Sequence, residues 1–184
     1  MRVIAGECKG RTLKSVPGKE TRPTTDKVKE NLFNMIGPFF DGGQGLDLYG
    51  GSGGLGIEAL SRGLDKMIFV DRYFPAIQTI KKNLAFCQLE GRAEVYRNDA
   101  DRALTILGKR QEAFDLIFLD PPYASGRYEK DLEKIVNLRL LKANGYLIVE
   151  HPRTLQLAEA LSSDIKLWKF HTAHEQTAIS IYRG

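Results

Sequence analysis

The sequence predicts an α/β fold: a mostly parallel sheet with helices on both faces, ending in an antiparallel strand pair. Three observations predict it. From residue 44 onward, short apolar runs alternate with segments of helical period. A glycine-rich loop separates the first such run from the helix that follows it. The run at 114–119 is almost continuously apolar after Asp115, as strands covered on both faces tend to be.

Each element has its own signal. Residues 2–5 and 11–16 read as two short strands around a Gly6/Gly10 turn, and 17–23 as a loop with Pro17, Gly18 and Pro23. Thr24 or Thr25 can cap a helix beginning near Asp26, with Val28, Leu32, Met35 and Ile36 on one face. Gly37-Pro38 ends that helix. Strands are expected at 45–49, 66–70, 93–97, 114–119 and 146–149. Between them fall helices at 52–62, closed by Gly63, and at about 74–89, with Ile77, Ile80, Leu84 and Cys87 inward. Two more helices are expected, one carrying Leu104 and Leu107 and one carrying Leu132, Ile135 and Val136. A further helix is expected over 155–161, and strands 165–170 and 177–182 close the chain. The organisation read from this is a single domain over 1–184, with a basic N-terminal extension (1–40) and a core (44–184).

The 184 residues suit one domain, and 42% hydrophobic content is enough for one sizeable core. No apolar run approaches the roughly 20 residues that span a bilayer, and the N-terminus lacks a signal-peptide layout. The two cysteines, Cys8 and Cys87, are far apart in sequence, which argues against a disulfide framework or zinc site and fits a reducing cytosol. The net charge of +4 is unevenly placed. Residues 1–35 hold eight basic residues (Arg2, Lys9, Arg11, Lys14, Lys19, Arg22, Lys27, Lys29) against four acids, and the remainder is balanced. A local basic patch suits a phosphate-rich partner, and an ordinary solvated face accounts for it equally well.

The first motif is the loop from Leu46 to Gly56, in which Gly51, Gly53 and Gly56 form G-x-G-x-x-G. Glycines permit a tight turn and close ligand approach, and a helix N-terminus favours an anion. Alone, the pattern serves a nicotinamide, a flavin or S-adenosylmethionine, or is a structural turn. Asp71, twenty residues beyond Gly51, is placed to accept ribose hydroxyls in any of these. Asp47 discriminates: a carboxylate there suits the ammonium group of a methionine moiety and sits poorly beside a pyrophosphate. Asn98-Asp99 ends the third strand, where a carboxylate can accept from an adenine amino group. Each acid alone is as readily a helix cap. The expected donor-binding set is Asp47, Tyr49, Gly51, Ser52, Gly53, Gly56, Asp71, Arg72, Asn98 and Asp99.

The second motif is Asp120-Pro121-Pro122-Tyr123, after the strand at 114–119. The lone pair of an exocyclic base amine is delocalised into the ring. A carboxylate and a carbonyl accepting its two N–H groups hold it and redirect that lone pair. Consecutive prolines fix φ, remove N–H donors and present carbonyls, and Tyr123 offers a face for an extruded base. A sulfonium donor is already activated, so alignment supplies most of the catalysis without a metal. Asp120, Pro121, Pro122 and Tyr123 are the expected catalytic set.

With these motifs the sequence is similar to the amino-methyltransferases. It resembles the bacterial RsmD family more closely, nearly end to end, through Arg2-Val3-Ile4-Ala5-Gly6, Lys9-Gly10-Arg11, Arg22-Pro23-Thr24, Asn31-Leu32-Phe33-Asn34 and the run from Gly56 to Gly63. The resemblance implies a Rossmann-like class I methyltransferase fold: seven strands, antiparallel at the last, after a short N-terminal hairpin and helix. It also implies S-adenosylmethionine as donor and the N2 amine of a guanine in small-subunit ribosomal RNA as acceptor. A cytoplasmic monomer is expected, working on naked RNA or an assembling 30S particle. Lys9, Arg11, Arg22, Thr24, Lys27 and Arg127 are expected to meet RNA. Gly50 departs from the family's usual alanine and is expected to loosen the turn, and Tyr49 stands where phenylalanine is common.

Other readings stay open. They are DNA adenine-N6 or protein glutamine-N5 methylation and, from another class, a non-catalytic RNA-binding module. A nicotinamide oxidoreductase is disfavoured by Asp47 and by Asp120–Tyr123. His171 and His174 offer too few ligands for a metal, and His151 is either a substrate contact or a locally bonded loop residue.

Overall fold

The computed structural model describes residues 1–18 and 25–184. Its elements run α1 (Asp26–Ile36), β1 (Gln44–Asp47), α2 (Gly54–Ser61), β2 (Lys66–Asp71), α3 (Phe74–Cys87), β3 (Ala93–Arg97), α4 (Ala100–Lys109), β4 (Phe114–Leu119), α5 (Tyr128–Asn137), β5 (Leu141–Pro152), β6 (Lys166–Thr172) and β7 (Thr177–Arg183). The seven strands form a sheet of order β3-β2-β1-β4-β5-β7-β6. The β1/β2, β2/β3 and β4/β5 pairs are parallel, and β7 runs antiparallel to both β5 and β6. This is the mostly parallel sheet with an antiparallel end that the sequence predicts. The chain divides into two compact units, Met1–Asp99 and Ala100–Gly184.

In the first unit α1 begins where its chemistry says it should. Thr25 caps it, its Oγ1 accepting the Val28 N–H at 3.4 Å, and Asp26 places a negative charge at the positive end of the helix dipole. Val28, Leu32, Phe33 and Ile36 form its buried face, and Gly37 at φ 125° ends it. The two N-terminal segments pair as a short antiparallel hairpin about the Arg2–Thr12 bridge, with Val3 N–H donating to Arg11 O at 2.9 Å and Leu13 N–H to Met1 O at 2.8 Å. Backbone donors beyond these bonds go to α2. Ile4 and Ala5 N–H groups reach the Glu58 carboxylate at 3.0 and 3.1 Å, and the Cys8 N–H reaches Ser61 Oγ at 3.0 Å. Thus the motifs at 2–6 and 56–63 are two sides of one contact.

Lys29, counted by sequence with the basic patch, is fully buried. Its ammonium lies 3.1 Å from Glu58, which also pairs with buried Arg62 at 2.8 Å. Lys29 therefore adds nothing to the surface. Burial pulls its pKa below the usual lysine range, opposed by the neighbouring Glu58 charge.

In the second unit β4 is buried along nearly its whole length, with Phe114, Ile117 and Phe118 shielded from solvent. Strand β5 starts earlier than its apolar run suggests, because Leu141 already pairs with Phe114 across an irregularity in register. The helix expected over 155–161 is absent. Its polar groups bond elsewhere: the Leu161 N–H that a helix would send to Leu157 O goes to Ile165 O, and two of its carbonyls take partners outside the segment. Tyr182 Oη donates to Ala158 O at 2.7 Å, and Leu167 N–H to Glu159 O at 2.7 Å. Leu161 N–H donates to Ile165 O at 2.9 Å, so the segment folds back on the β6 edge. Tertiary bonding overrides helix propensity here. Among the described residues no helix is long and apolar enough to cross a membrane.

Candidate active site

In the first unit the ends of β1, β2 and β3 bring the predicted acids to one edge. Gly53 caps α2 at φ 83°, in the left-handed region, and Gly51 turns the loop at φ 56°. A side chain at Gly56 would overlap the Phe69 ring, since a Cβ there would lie 2.3 Å from Phe69 Cε1. Glycine at 56 is thus what lets α2 lie on β2. Gly50 is not loose: its N–H is held by Val70 O at 2.9 Å, and its O accepts from Gly53 N–H at 2.7 Å. The space of the absent methyl is filled by Ile80, whose Cδ1 lies 3.0 Å from a Cβ built there.

Asp71 is buried at the end of β2. One oxygen accepts the Gly51 N–H at 3.0 Å and the other the Tyr73 N–H at 2.8 Å. It fixes the turn, and each oxygen keeps a further lone pair for a ligand hydroxyl. Asp47 accepts the Gly56 N–H at 3.2 Å, and no cation among the described residues pairs with it. Burial pushes its carboxyl up to about 7, the neighbouring Asp71 charge adds to this, and the Gly56 N–H opposes it. A carboxyl held that high suits a site built to receive a positive group. Asn98 Oδ1 accepts the Asp99 N–H at 3.0 Å, and Asn98 N–H bonds Asp71 O at 3.1 Å, which leaves the Asp99 side chain exposed beside β2. Tyr49, Gly51 and Ser52 are half-buried along the loop, and Arg72 is exposed.

Asn83 is the residue that sequence reading missed. It is buried on α3. Its Oδ1 accepts the Lys14 N–H at 2.8 Å, and its Nδ2 donates to Lys14 O at 3.0 Å and to Ser52 O at 2.9 Å. One amide thus joins the N-terminal segment to the glycine loop. The signal was a polar residue on an inward face otherwise made of Ile80, Leu84 and Cys87.

In the second unit the Asp120–Tyr123 motif follows β4 as predicted. Asp120 is half-buried and Pro121 buried. The row of carbonyls is partly engaged: Pro122 O accepts Ser125 N–H at 2.9 Å, and Pro121 O takes the Tyr128 hydroxyl at a long 3.4 Å. Pro121 O is therefore the carbonyl better able to accept another donor. Tyr123 is 45% exposed, and its hydroxyl lies 2.7 Å from Thr177 Oγ1. Burial raises its pKa. Arg127 is held by Asp131 at 3.0 Å and Asp101 at 3.6 Å, so a phosphate must compete with two carboxylates. His151 is a buried strand residue rather than a loop residue. Its Nδ1 lies 2.9 Å from Pro152 O, which can only accept, so Nδ1 carries the proton and Nε2 accepts from Ser180 Oγ at 2.8 Å. Burial lowers its pKa, opposed by the hydrogen bond to Pro152 O.

Of the residues expected to meet RNA, Lys9 and Lys27 are exposed and Arg11 is half-buried, while Arg22 and Thr24 lie outside the described residues. Cys8 and Cys87 are both buried, and Cys8 Sγ donates to Cys87 O at 3.4 Å.

A mostly parallel seven-stranded sheet with an antiparallel end, a glycine loop after β1 and Asp-Pro-Pro-Tyr after β4 define a Rossmann-like methyltransferase. Comparison with known proteins narrows the class. The chain belongs to the family described as "Conserved hypothetical protein 95", the RsmD family, which matches residues 1–183. It is 53% identical over 183 residues to "Putative rRNA methyltransferase YlbH" of Bacillus subtilis (strain 168), covering 100% of this chain and 98% of that one. It is 36% identical over 150 residues to "Ribosomal RNA small subunit methyltransferase D" of Escherichia coli (strain K12), covering 82% and 71%. The solved structure "Putative methyltransferase yhhF from Escherichia coli" superposes with a TM-score of 0.83 at 31% identity, covering 99% and 96%.

Proposed function

We propose that this enzyme transfers the methyl group of S-adenosylmethionine to the exocyclic N2 amine of a guanine in small-subunit ribosomal RNA, acting as a monomer in the cytoplasm on RNA alone or in an assembling 30S particle. The observation that carries the reading is the Asp120–Tyr123 turn at the end of β4. The names of the relatives support the RNA class, and the guanine N2 position rests on the family resemblance.

The donor-binding residues are those of the first unit. The glycine loop lets the donor lie close to backbone, Asp47 receives its ammonium group, Asp71 its ribose hydroxyls, and Asp99 its adenine amine. Tyr49, Ser52, Arg72 and Asn98 border them. When bound, the donor supplies an activated sulfonium methyl. The chain's own work is to hold the acceptor. The Asp120 carboxylate and Pro121 carbonyl accept the two amine N–H groups, and the Tyr123 ring stacks on the base, steadied by Thr177.

The test is methylation by purified enzyme of small-subunit RNA and of 30S particles from cells lacking the gene, followed by mass spectrometry of nucleosides. N2-methylguanosine is the expected product. N6-methyladenosine, or no methylated nucleoside from either substrate, overturns the reading.

A further inference from the structure

The N-terminal segment does more than carry charge. Residues 8–14 run along the C-terminal half of α3, fixed by the Cys8 Sγ to Cys87 O contact, the Arg11 Nη1 to Phe86 O bond at 2.6 Å and the Lys14–Asn83 pair. At the centre of this contact stands Phe86, 57% exposed. The Arg11 guanidinium lies over its ring, Cζ 5.8 Å from the centroid.

A lone exposed phenylalanine is unremarkable on a protein surface. The setting of Phe86 is different. One side of its ring carries a guanidinium that is itself tied to the Phe86 backbone, so the pair is organised in advance. Lys82 stands one turn before it on the same helix face, and exposed Lys9 and Lys14 flank Arg11. Of the nearby acids, Glu7 is held by Arg92, and Glu90 lies beyond the end of α3. An aromatic plane, a planar cation and several lysines are the parts with which proteins grip unpaired nucleotides.

We infer that Phe86 and Arg11 form a stacking platform for an unpaired base of the RNA substrate, with Lys9, Lys14 and Lys82 on the adjoining phosphates. The platform is built from residues other than the Asp120–Tyr123 motif and is assigned a nucleotide that is not the one modified. It rests on the ribosomal RNA reading above and names where that RNA is gripped.

The test is binding of a short single-stranded oligoribonucleotide and of a duplex of the same sequence, in parallel with binding of S-adenosylhomocysteine. Phe86→Ala is expected to weaken single-strand binding by roughly 5- to 100-fold with little effect on the duplex. Phe86→Trp restores it, whereas Phe86→Leu, apolar but not planar, does not. The salt dependence stays unchanged in Phe86→Ala and becomes shallower in Lys14→Ala and Lys82→Ala. Melting temperature and S-adenosylhomocysteine affinity remain at wild-type values in the Phe86 variants, which excludes misfolding. Wild-type RNA affinity in both Phe86→Ala and Phe86→Leu overturns the platform. So does a change in self-association by sedimentation with RNA affinity untouched, which would make Phe86 a contact between copies. The nucleoside assay of the wild-type enzyme does not depend on the Phe86 variants, and failure of that assay leaves oligonucleotide binding measurable, so the two readings fall separately.

Discussion

Lys29 Nζ and Glu58 Oε2 lie 3.1 Å apart, with neither side chain reached by solvent. Glu58 sits on α2, Lys29 on α1, and the same carboxylate takes the Ile4 and Ala5 N–H groups. Removing one partner of a buried pair strands the other charge, at a cost of about 3–5 kcal/mol. Glu58→Gln, which strands both Lys29 and Arg62, is expected to lose about that much in urea denaturation, and Lys29→Met less, because Arg62 still pairs with Glu58. The double variant is expected to lose less than the sum, because the Lys29 charge that Glu58→Gln strands is gone and only Arg62 is left without its carboxylate. Full additivity would show that the pair is not a coupled unit.

Asp47 sets a pH dependence. Its carboxyl titrates near 3.8 in the unfolded chain and about 7 in the fold. The folded state therefore holds a proton that the unfolded state has released across that window. The unliganded protein gains stability from this group as pH falls from 7 toward 4, and loses it as pH rises through 7. A ligand bringing an ammonium group to Asp47 displaces that proton. Calorimetry of S-adenosylmethionine binding near pH 6.5, in buffers of different ionisation enthalpy, is expected to show proton release that vanishes in Asp47→Asn. Identical heats in all buffers would remove the assigned role.

Asp71→Ala removes the acceptor for the Gly51 and Tyr73 N–H groups and, on the proposed reading, for the ribose. Affinity for S-adenosylmethionine is expected to fall by ~1.5–3 kcal/mol, the range for charge-assisted hydrogen bonds. Unchanged affinity by calorimetry refutes the assignment.

Asp120→Ala is expected to slow single-turnover methylation by at least ~100-fold while leaving donor binding intact. Asp120→Asn keeps one acceptor and should fall between the alanine variant and wild type. Tyr123→Phe keeps the ring and loses the Thr177 hydrogen bond, so its effect should stay within about 1 kcal/mol, and Thr177→Val should match it. A wild-type rate in folded Asp120→Ala would overturn the role given to Asp120.

Much of this was legible in sequence, for identifiable reasons. The βα alternation is written in local periodicity, and the glycine loop and Asp120–Tyr123 are contiguous, so their positions after strands could be read directly. What was missed depends on partners distant in the chain. The helix expected over 155–161 gives way to bonding with β6 and β7, where Leu161 N–H goes to Ile165 O and Leu167 and Tyr182 bond Glu159 O and Ala158 O. The docking of the N-terminal hairpin on α2 through Glu58 and Ser61 has no local signal, and Lys29 reads as surface charge until Glu58 is seen beside it. Gly50 reads as a loosened turn until Ile80 is found filling the gap. Local pattern announces an element, and long-range bonding decides which polar groups it leaves free.

Asn83 holds Lys14 on one side and Ser52 on the other through a single side chain. If a polyanion held by the N-terminal segment shifts donor affinity through this amide, the reverse shift is equally required. Whatever factor donor binding imposes on the grip of that segment, the segment must return to donor binding unchanged, because both belong to one thermodynamic cycle.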